Sequence, residues 1–541
     1  MLTTEYDGIV IGAGPNGLTL AAYLVKAGLK VLLIEKRFEI GGGLATEQVT
    51  IPGFLHNTHA IYMPMVDYAP AFQDLELDKV YDLKFVHPPL VMAMPLADGR
   101  FVGLYRDVEK TCQSLAQFSK NDAAAYRDLY HKFRWMMDEY LGPATYMLPK
   151  PTFEAVLEME HSEVGRAIAE IRIKSPKTLI EEWFEDDHVR TLMLYAACMW
   201  GLEYDLDGIS FLVPLLLDRA VNYRLCVGGS HHLAHLLYKF ICENGGRVLT
   251  SQLVKRIVVE DGKATGVELE DGRIFKAKNF VASSLDPHQT FLKLVDPATL
   301  DQGFVQRVKD WQWEEISLFD VHLALTEPPR FKAAANNPEL NEAFIYLVGY
   351  ESEAELIEHW NAIRRGELIA GGFNCCFPTV HDPSQAPKGR HTGLLSQHAP
   401  YKLKDGGGEK WYTAVREEHA QRCLEVLRRY APNINEDTIL WYHVSTPLDI
   451  ENKFADMVRG SIKQGAYTPL QMGFMRPNEY CSQYRTPIAQ LYVCGASVYP
   501  GGLILLGGGY NCANVIAEDL GLEKWWREPE MITRAREKGV L

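Results

Sequence analysis

A glycine loop, Gly12-Ala13-Gly14-Pro15-Asn16-Gly17, follows directly on an apolar run, and no other feature restricts the fold of this 541-residue chain as tightly. Asp7 to Ile11 reads as a buried strand, and Leu18, Ala21, Ala22 and Val25 recur at helical spacing. Gly28 ends the helix, and Val31 to Ile34 reads as a second buried strand. The product is a βαβ unit. Within it Gly12 permits the tight turn, Gly14 lets a pyrophosphate approach the backbone, and Gly17 lets helix and strand pack closely. Pro15 and Asn16 open a helix whose N-terminus stabilises the anion. Glu35 ends the second strand, where a carboxylate accepts both ribose hydroxyls and repels a 2′-phosphate. The unit therefore predicts NAD or FAD and disfavours NADP.

A chain of this length outgrows one hydrophobic core, which predicts two lobes. Its 47% hydrophobic and 23% charged residues are the proportions of a folded globular protein. A net charge of −15 disfavours nucleic acid and anionic membrane surfaces as partners. The apolar stretches are too short to span a bilayer, the strongest, Phe211 to Leu217, being interrupted by Pro214. Membrane contact is thus expected to be peripheral at most. With no signal peptide readable before the first strand, the expected location is the cytoplasm, or the matrix of an organelle. Ten cysteines without C-x-x-C spacing read as reduced core residues, and no metal-ligand cluster is visible.

Further along, Tyr126, Leu129, Tyr130, Phe133, Met137 and Tyr140 share a helical stripe, and Ala123 to Asp218 reads as a largely helical insertion. Gly228-Gly229 opens another helix, which Gly245-Gly246 stops. A three-strand meander follows, Leu253 to Val259, Ala264 to Leu269 and Arg273 to Ala277, with Asn279 to Ser283 as a separate strand returning to the parent sheet. A last strand, Gln490 to Cys494, precedes a helix from about Asn511 to Leu520.

The residues after Glu35 discriminate between the nucleotides. After five intervening positions, which begin with Lys36, come Gly41-Gly42-Gly43, Leu44 and Thr46. This resembles the E-x5-G-G-x-x-x-[S/T] extension of the FAD-dependent amine oxidase and phytoene desaturase superfamily, although many members carry Arg where this chain has Gly43. The likeness continues through Val227-Gly228-Gly229, through Asp382-Pro383-Ser384, Ala386-Pro387 and Gly389, and through Arg476-Pro477. Near the end, Cys494-Gly495-Ala496 and Pro500-Gly501-Gly502 resemble the flavin-binding C-terminal motif. The chain is most similar to the phytoene dehydrogenase-like branch, in particular the pyridine nucleotide-disulphide oxidoreductase domain-containing subgroup. Because no C-x4-C follows the second glycine turn, disulfide reduction is disfavoured.

The resemblance implies FAD, with the backbone at Val254 on the adenine and Gly495, Ala496, Gly502 and Asn511 at the flavin. A helix opening near Asn511 would direct its dipole at the reduced ring, and Gly507-Gly508-Gly509 would let backbone lie against it. The implied fold class is α/β: a three-layer Rossmann-like FAD-binding domain with a β-meander, and an inserted α+β substrate domain with a helical lid. FAD-binding stretches are expected at 1–85, 221–288 and 486–541, and substrate-domain stretches at 86–220 and 289–485.

The expected reaction is dehydrogenation or desaturation, hydride passing from a C–H bond of a mostly apolar small molecule to flavin N5, with oxygen, a quinone or another acceptor reoxidising the cofactor. No residue declares itself as the base. His59 and Tyr62, His322 and Tyr510 are the candidates, and such residues serve more often as hydrogen-bonded core residues than as bases. Trp311 and Trp313 offer an apolar tunnel wall or plain core. Amine oxidation with Tyr510 as one wall of an aromatic cage, redox-neutral isomerisation on reduced FAD, and a non-catalytic flavin scaffold are the rival readings.

Overall fold

The computed structural model describes residues 4–504 and 506–541. Strand β1 (Glu5–Ile11), helix α1 (Pro15–Lys26) and strand β2 (Val31–Ile34) form where the apolar periodicity changes from continuous to helical and back. Ile9, Val10, Leu32 and Leu33 are fully buried, as parallel strands covered on both faces require. Each such side chain contributes roughly 1.5–3 kcal/mol. A Cβ on Gly17 would lie 2.1 Å from the Gly12 carbonyl oxygen, so only glycine lets α1 start this close to the loop.

The first sheet runs in the order 247–249, β2, β1, 274–283, 263–269, 254–260. The short strand Leu491–Val493 also pairs with 274–283. Its members thus come from three separated parts of the chain. One expectation is corrected here: Ile274–Ser283 is a single strand, not a meander strand followed by a second one. Residues 274–276 pair antiparallel with the meander, while Val281, Ala282 and Ser283 pair parallel with Leu491–Val493. Its first half alternates buried Phe275 and Ala277 with exposed Lys276 and Lys278, and its second half is buried throughout. The pattern breaks where one face of the sheet becomes covered, and the backbone continues.

The second sheet has the order 439–445, 316–325, 391–400, 373–376, 345–348, 90–95, 101–105. In its strand Ile316–Leu325, Phe319, Val321, Leu323 and Leu325 enter a core shared with the helix Val415–Tyr430. Leu318, Asp320 and His322 alternate onto the opposite face, toward the first sheet. Helices fill the region 108–220, among them Lys120–Met136, Asp187–Cys198 and Leu212–Ala220. Every residue from Thr191 to Cys198 is buried, the pattern of a helix surrounded by protein. The Asp122 carboxylate holds the turn before it, accepting the Glu185 and Asp186 N–H groups at 2.8 and 2.9 Å.

The helix expected from about Asn511 begins at Gly507, and a further helix, Glu530–Glu537, follows it. A Cβ on Gly508 would stand 2.8 Å from the Cys494 carbonyl, and one on Gly509 2.2 Å from that of Asn16. These glycines let the helix press against the entry of α1, which offsets a propensity cost of about 1 kcal/mol each. They meet protein backbone where the sequence suggested a flavin ring.

Candidate functional site

A long cavity opens at the C-terminal ends of β1 and β2 and runs to the helix Leu212–Ala220. Of the residues singled out from the sequence, Gly12, Gly14, Pro15, Asn16, Glu35 and Lys36 line its first part, with Val254 at that end. Gly42, Gly43 and Leu44 come next, then Gly495, Ala496 and Gly502. Gly17 lies beneath the loop instead of facing the cavity, and Asn511 turns its amide to the Thr145 carbonyl at 3.1 Å.

The geometry fits a dinucleotide carrying a pyrophosphate. The first turn of α1 has no side-chain cap and no acidic residue, so its N–H groups are left for an anion. A Cβ built on Gly14 meets nothing within 4 Å, which leaves its face clear for a ligand. The second glycine turn is joined to the first by the Gly41 N–H to Ala13 carbonyl bond of 2.8 Å. Glu35 is fixed by the N–H groups of Ala13 and Arg37 at 2.8 and 2.9 Å, one on each carboxylate oxygen, with lone pairs remaining for ribose hydroxyls.

Asp382 explains the D-P-S-x-A-P stretch. Its carboxylate accepts the Gly228 N–H at 2.8 Å and the Gln385 amide at 2.9 Å. Gln385 accepts from the Asn57 amide at 2.9 Å, and Asn57 accepts the Ser230 N–H at 2.8 Å. A buried chain of hydrogen bonds thus clasps this stretch to the Gly228–Ser230 turn and to the short strand His56–Asn57.

Sequence reasoning missed the segment Ile450 to Gln464, from which Phe454, Ala455, Asp456, Met457, Ile462 and Gln464 line the cavity. Lys453 pins it through an ion pair with Glu47, and Arg37 lies 4.8 Å from the Phe454 ring. Burial, with Glu35 nearby, pushes the Asp456 carboxyl up to about 6. The end of the helix Pro447–Lys453, one 3-10 turn and the positive-φ residues Arg459 and Gln464 carry this stretch, so it has no period to recognise.

Beyond Leu44 the wall becomes side chains: His59, Tyr62, Met63, Met65, Trp200 and Leu216 among them. Burial holds the His59 imidazole well below its usual range, and Lys453 and Arg37 add to this, so it is neutral at physiological pH. Tyr62 donates to Asn374 Oδ1 at 3.1 Å, and Asn374 in turn donates to the Tyr195 hydroxyl at 2.8 Å. Burial raises the Tyr62 phenol well above its ordinary value and keeps it protonated. Arg219 closes the far end with a fully buried guanidinium. Its Nε bonds Asp218 at 2.7 Å and its Nη1 bonds Asp67 at 2.8 Å.

The other two candidates lie elsewhere. His322 stacks edge-on with His56, ring centroids 5.5 Å apart, below the cavity lining. Tyr510 packs against Tyr23 at 5.4 Å and Tyr146 at 6.1 Å, away from the cavity, so the aromatic-cage wall imagined for amine oxidation is not there. Trp311 lies under Arg476, 5.1 Å from its guanidinium, as core.

Residues 16–504 match the family described as flavin containing amine oxidoreductase. The chain belongs to this family. A limonene dehydrogenase subunit from Castellaniella defragrans is 39% identical, over 99% of this chain and 99% of its own. Pyridine nucleotide-disulfide oxidoreductase domain-containing protein 2 of Rattus norvegicus is 28% identical, over 96% and 94% respectively. A solved oxidoreductase from Methanosarcina mazei shares the fold, with a TM-score of 0.60 at 19% identity over 94% of this chain and 99% of its own. The family member described here is an FAD-dependent oxidoreductase of the phytoene desaturase-like branch, and it acts on a small molecule. That removes the non-catalytic scaffold from the readings. Among the described residues no helix is long and apolar enough to cross a membrane, and no group of three His, Cys, Asp or Glu is arranged to hold a metal ion.

Proposed function

We propose that this enzyme dehydrogenates a C–H bond of a small, apolar, cyclic hydrocarbon of the monoterpene kind. The observation that carries the reading is the character of the chamber beyond Leu44. Met63, Met65, Trp200, Leu215 and Leu216 supply its surface, and the buried cation at its end, Arg219, is bonded to Asp218 and Asp67, which also pair with Arg134 and Arg224. The relationship to a limonene dehydrogenase subunit supports the same substrate class, and further suggests a second subunit as partner. In this reading the stretches 1–85, 221–288 and 486–541 carry FAD, and 86–220 and 289–485 carry the substrate, a division supported by the three origins of the first sheet.

Gly12, Gly14, Glu35 and Gly42 would hold the adenosine diphosphate part, and Gly43, Leu44, Gly495, Ala496 and Gly502 the flavin part. Bound FAD supplies a two-electron acceptor for hydrogen leaving carbon, to be reoxidised by oxygen, a quinone or another acceptor. The apolar walls exclude water and orient the substrate by shape. His59 faces the chamber in its neutral form, where burial and the nearby Lys453 and Arg37 make it a weak base, and Tyr62, held by Asn374, fixes one side of the chamber.

Anaerobic mixing with a monocyclic monoterpene alkene is expected to bleach the flavin absorption stoichiometrically, and primary amines are expected to leave it unchanged. Bleaching by amines alone would overturn the proposal. Product that forms only after the flavin has been reduced beforehand would replace it with isomerisation.

A further inference from the structure

We infer that Arg476, Lys463 and Glu314 form a buried electrostatic support, with a surplus of one positive charge, that makes the flavin easier to reduce. The inference rests on the assignment of the Ala496–Gly502 end of the cavity to the flavin ring.

Arg476 is fully buried, and its hydrogen-bond partners are carbonyls in place of a carboxylate. Its Nη2 donates to the carbonyls of Lys463, Gln464 and Ala496 at 3.2, 3.4 and 3.1 Å. Its Nη1 reaches those of Ala466 and Gln471 at 3.4 and 3.3 Å. The Tyr467 ring lies 4.8 Å from the guanidinium. Lys463, whose side chain is 0% exposed, stands 3.3 Å from Glu314 Oε1 and donates to the Gly201 carbonyl at 2.9 Å. Glu314 is held as an anion by Ser461 Oγ at 2.5 Å and by the N–H groups of Lys463 and Gly465 at 2.9 and 3.2 Å. Lys463 is therefore paired with a carboxylate, whereas Arg476 bonds none, and the next buried carboxyl, Asp456, accepts from the Gln464 amide instead.

This cluster is directly behind the cavity wall. Ala496, whose carbonyl Arg476 holds, lines the cavity, as do Ile462 and Gln464 on either side of Lys463. A Cβ on Gly502, another lining residue, would lie 2.6 Å from Lys463 Cα. Burying a cation without its counter-charge costs several kcal/mol, and fastening loops alone does not require one. At the opposite end of the same cavity Arg219 bonds two carboxylates directly, Asp218 and Asp67, which it shares with Arg134 and Arg224. The missing counter-charge beside Ala496 is accounted for by an anion that arrives with the reaction, the reduced flavin ring, whose formation a nearby positive charge favours. The three residues touch neither substrate nor ring and act as positioning residues through the wall.

The test uses FAD-loaded E314Q, K463Q and R476K proteins. The readouts are the equilibrium with a reference dye of known potential and the pH at which the flavin band reports loss of the N3 proton. A unit charge about 10 Å away at an effective dielectric of about 20 changes such an equilibrium roughly tenfold. E314Q is expected to favour the reduced flavin and lower the N3 titration, K463Q to do the opposite, and R476K to leave both unchanged. A merely structural role moves stability in one direction and gives no opposite-signed pair. Shifts of the same sign, or no shift in E314Q and K463Q that retain FAD, would overturn the inference. Should K463Q fail to fold, E314Q alone carries the sign. I462W tests the placement separately, since it perturbs the flavin band only if the ring lies at this end.

Discussion

Where the cavity passes the start of α1 its wall is backbone, set by glycines and strand ends, whereas beyond His59 it is side chains drawn from helices, loops and a second sheet. The two parts fail differently. In the first, Gly14 faces open space, but behind the wall an added methyl group has nowhere to go, because the chain is packed against itself at Gly17 and Gly508. In the second, a side chain can be exchanged and the chamber reshaped, provided that its buried charges stay matched. A cofactor common to a family suits the first kind of wall, and a substrate that differs between members suits the second.

Four substitutions separate the halves. The largest effect is expected for Arg219→Met, which removes the fully buried cation bonded to Asp218 and Asp67, leaves Asp218 with Arg134 at 3.1 Å as its remaining partner, and should cost about 3–5 kcal/mol of stability while folded protein keeps its full FAD content. Loss of FAD in proportion to activity would show that the halves are not separable. Asp320, also outside the cofactor half, has its carboxyl pushed up to about 7 by burial. Its neutral form is favoured in the native state, so that contribution is complete below the unfolded value near 4 and is lost as pH rises to 7. Wild type should therefore fall relative to Asp320→Asn by roughly 2–4 kcal/mol between pH 4 and 7, read from paired thermal melts. A constant difference would place an ionised Asp320 in the native fold at all these pH values.

In the cofactor half, Gly17→Ala should cost about 1–3 kcal/mol through overpacking against the Gly12 carbonyl, and here FAD content should fall with it. Retention of stoichiometric FAD would remove the distinction between the walls. The smallest change in stability, about 1 kcal/mol, is expected for Tyr62→Phe, which removes one hydrogen bond to Asn374. Turnover should drop with FAD binding unaltered, and unchanged turnover would take Tyr62 out of the reaction.

The same division decides which parts of the molecule are legible in its amino acids. The βαβ unit and Glu35 are legible because glycines, strand ends and a carboxylate are demanded at fixed spacing by contacts within some thirty residues. The alternation in 316–325 is legible as a strand, but the face that meets the cavity is decided by the helix Val415–Tyr430, about a hundred positions later. Gly507 to Gly509 read as a loop because glycine is a poor helix former, and only the backbone of Asn16 and Cys494 explains why a helix uses them. Asp456 and Gln464 leave no signal, since their stretch has neither period nor fingerprint. Tyr510 and Trp311, attractive as aromatic residues near a flavin motif, are spent on packing.

The hydrogen-bonded clasp from Asp382 through Gln385 and Asn57 to Ser230 has a consequence in time. It ties the second sheet's loop to the Gly228–Ser230 turn and to the short strand that carries Asn57, so these segments separate only when several buried bonds open together. Retention of FAD is then governed by the frequency of that opening as well as by the affinity of the glycine loop. Asp382→Ala, remote from the chamber, would accordingly quicken exchange of bound FAD for free flavin analogue more than it weakens binding at equilibrium.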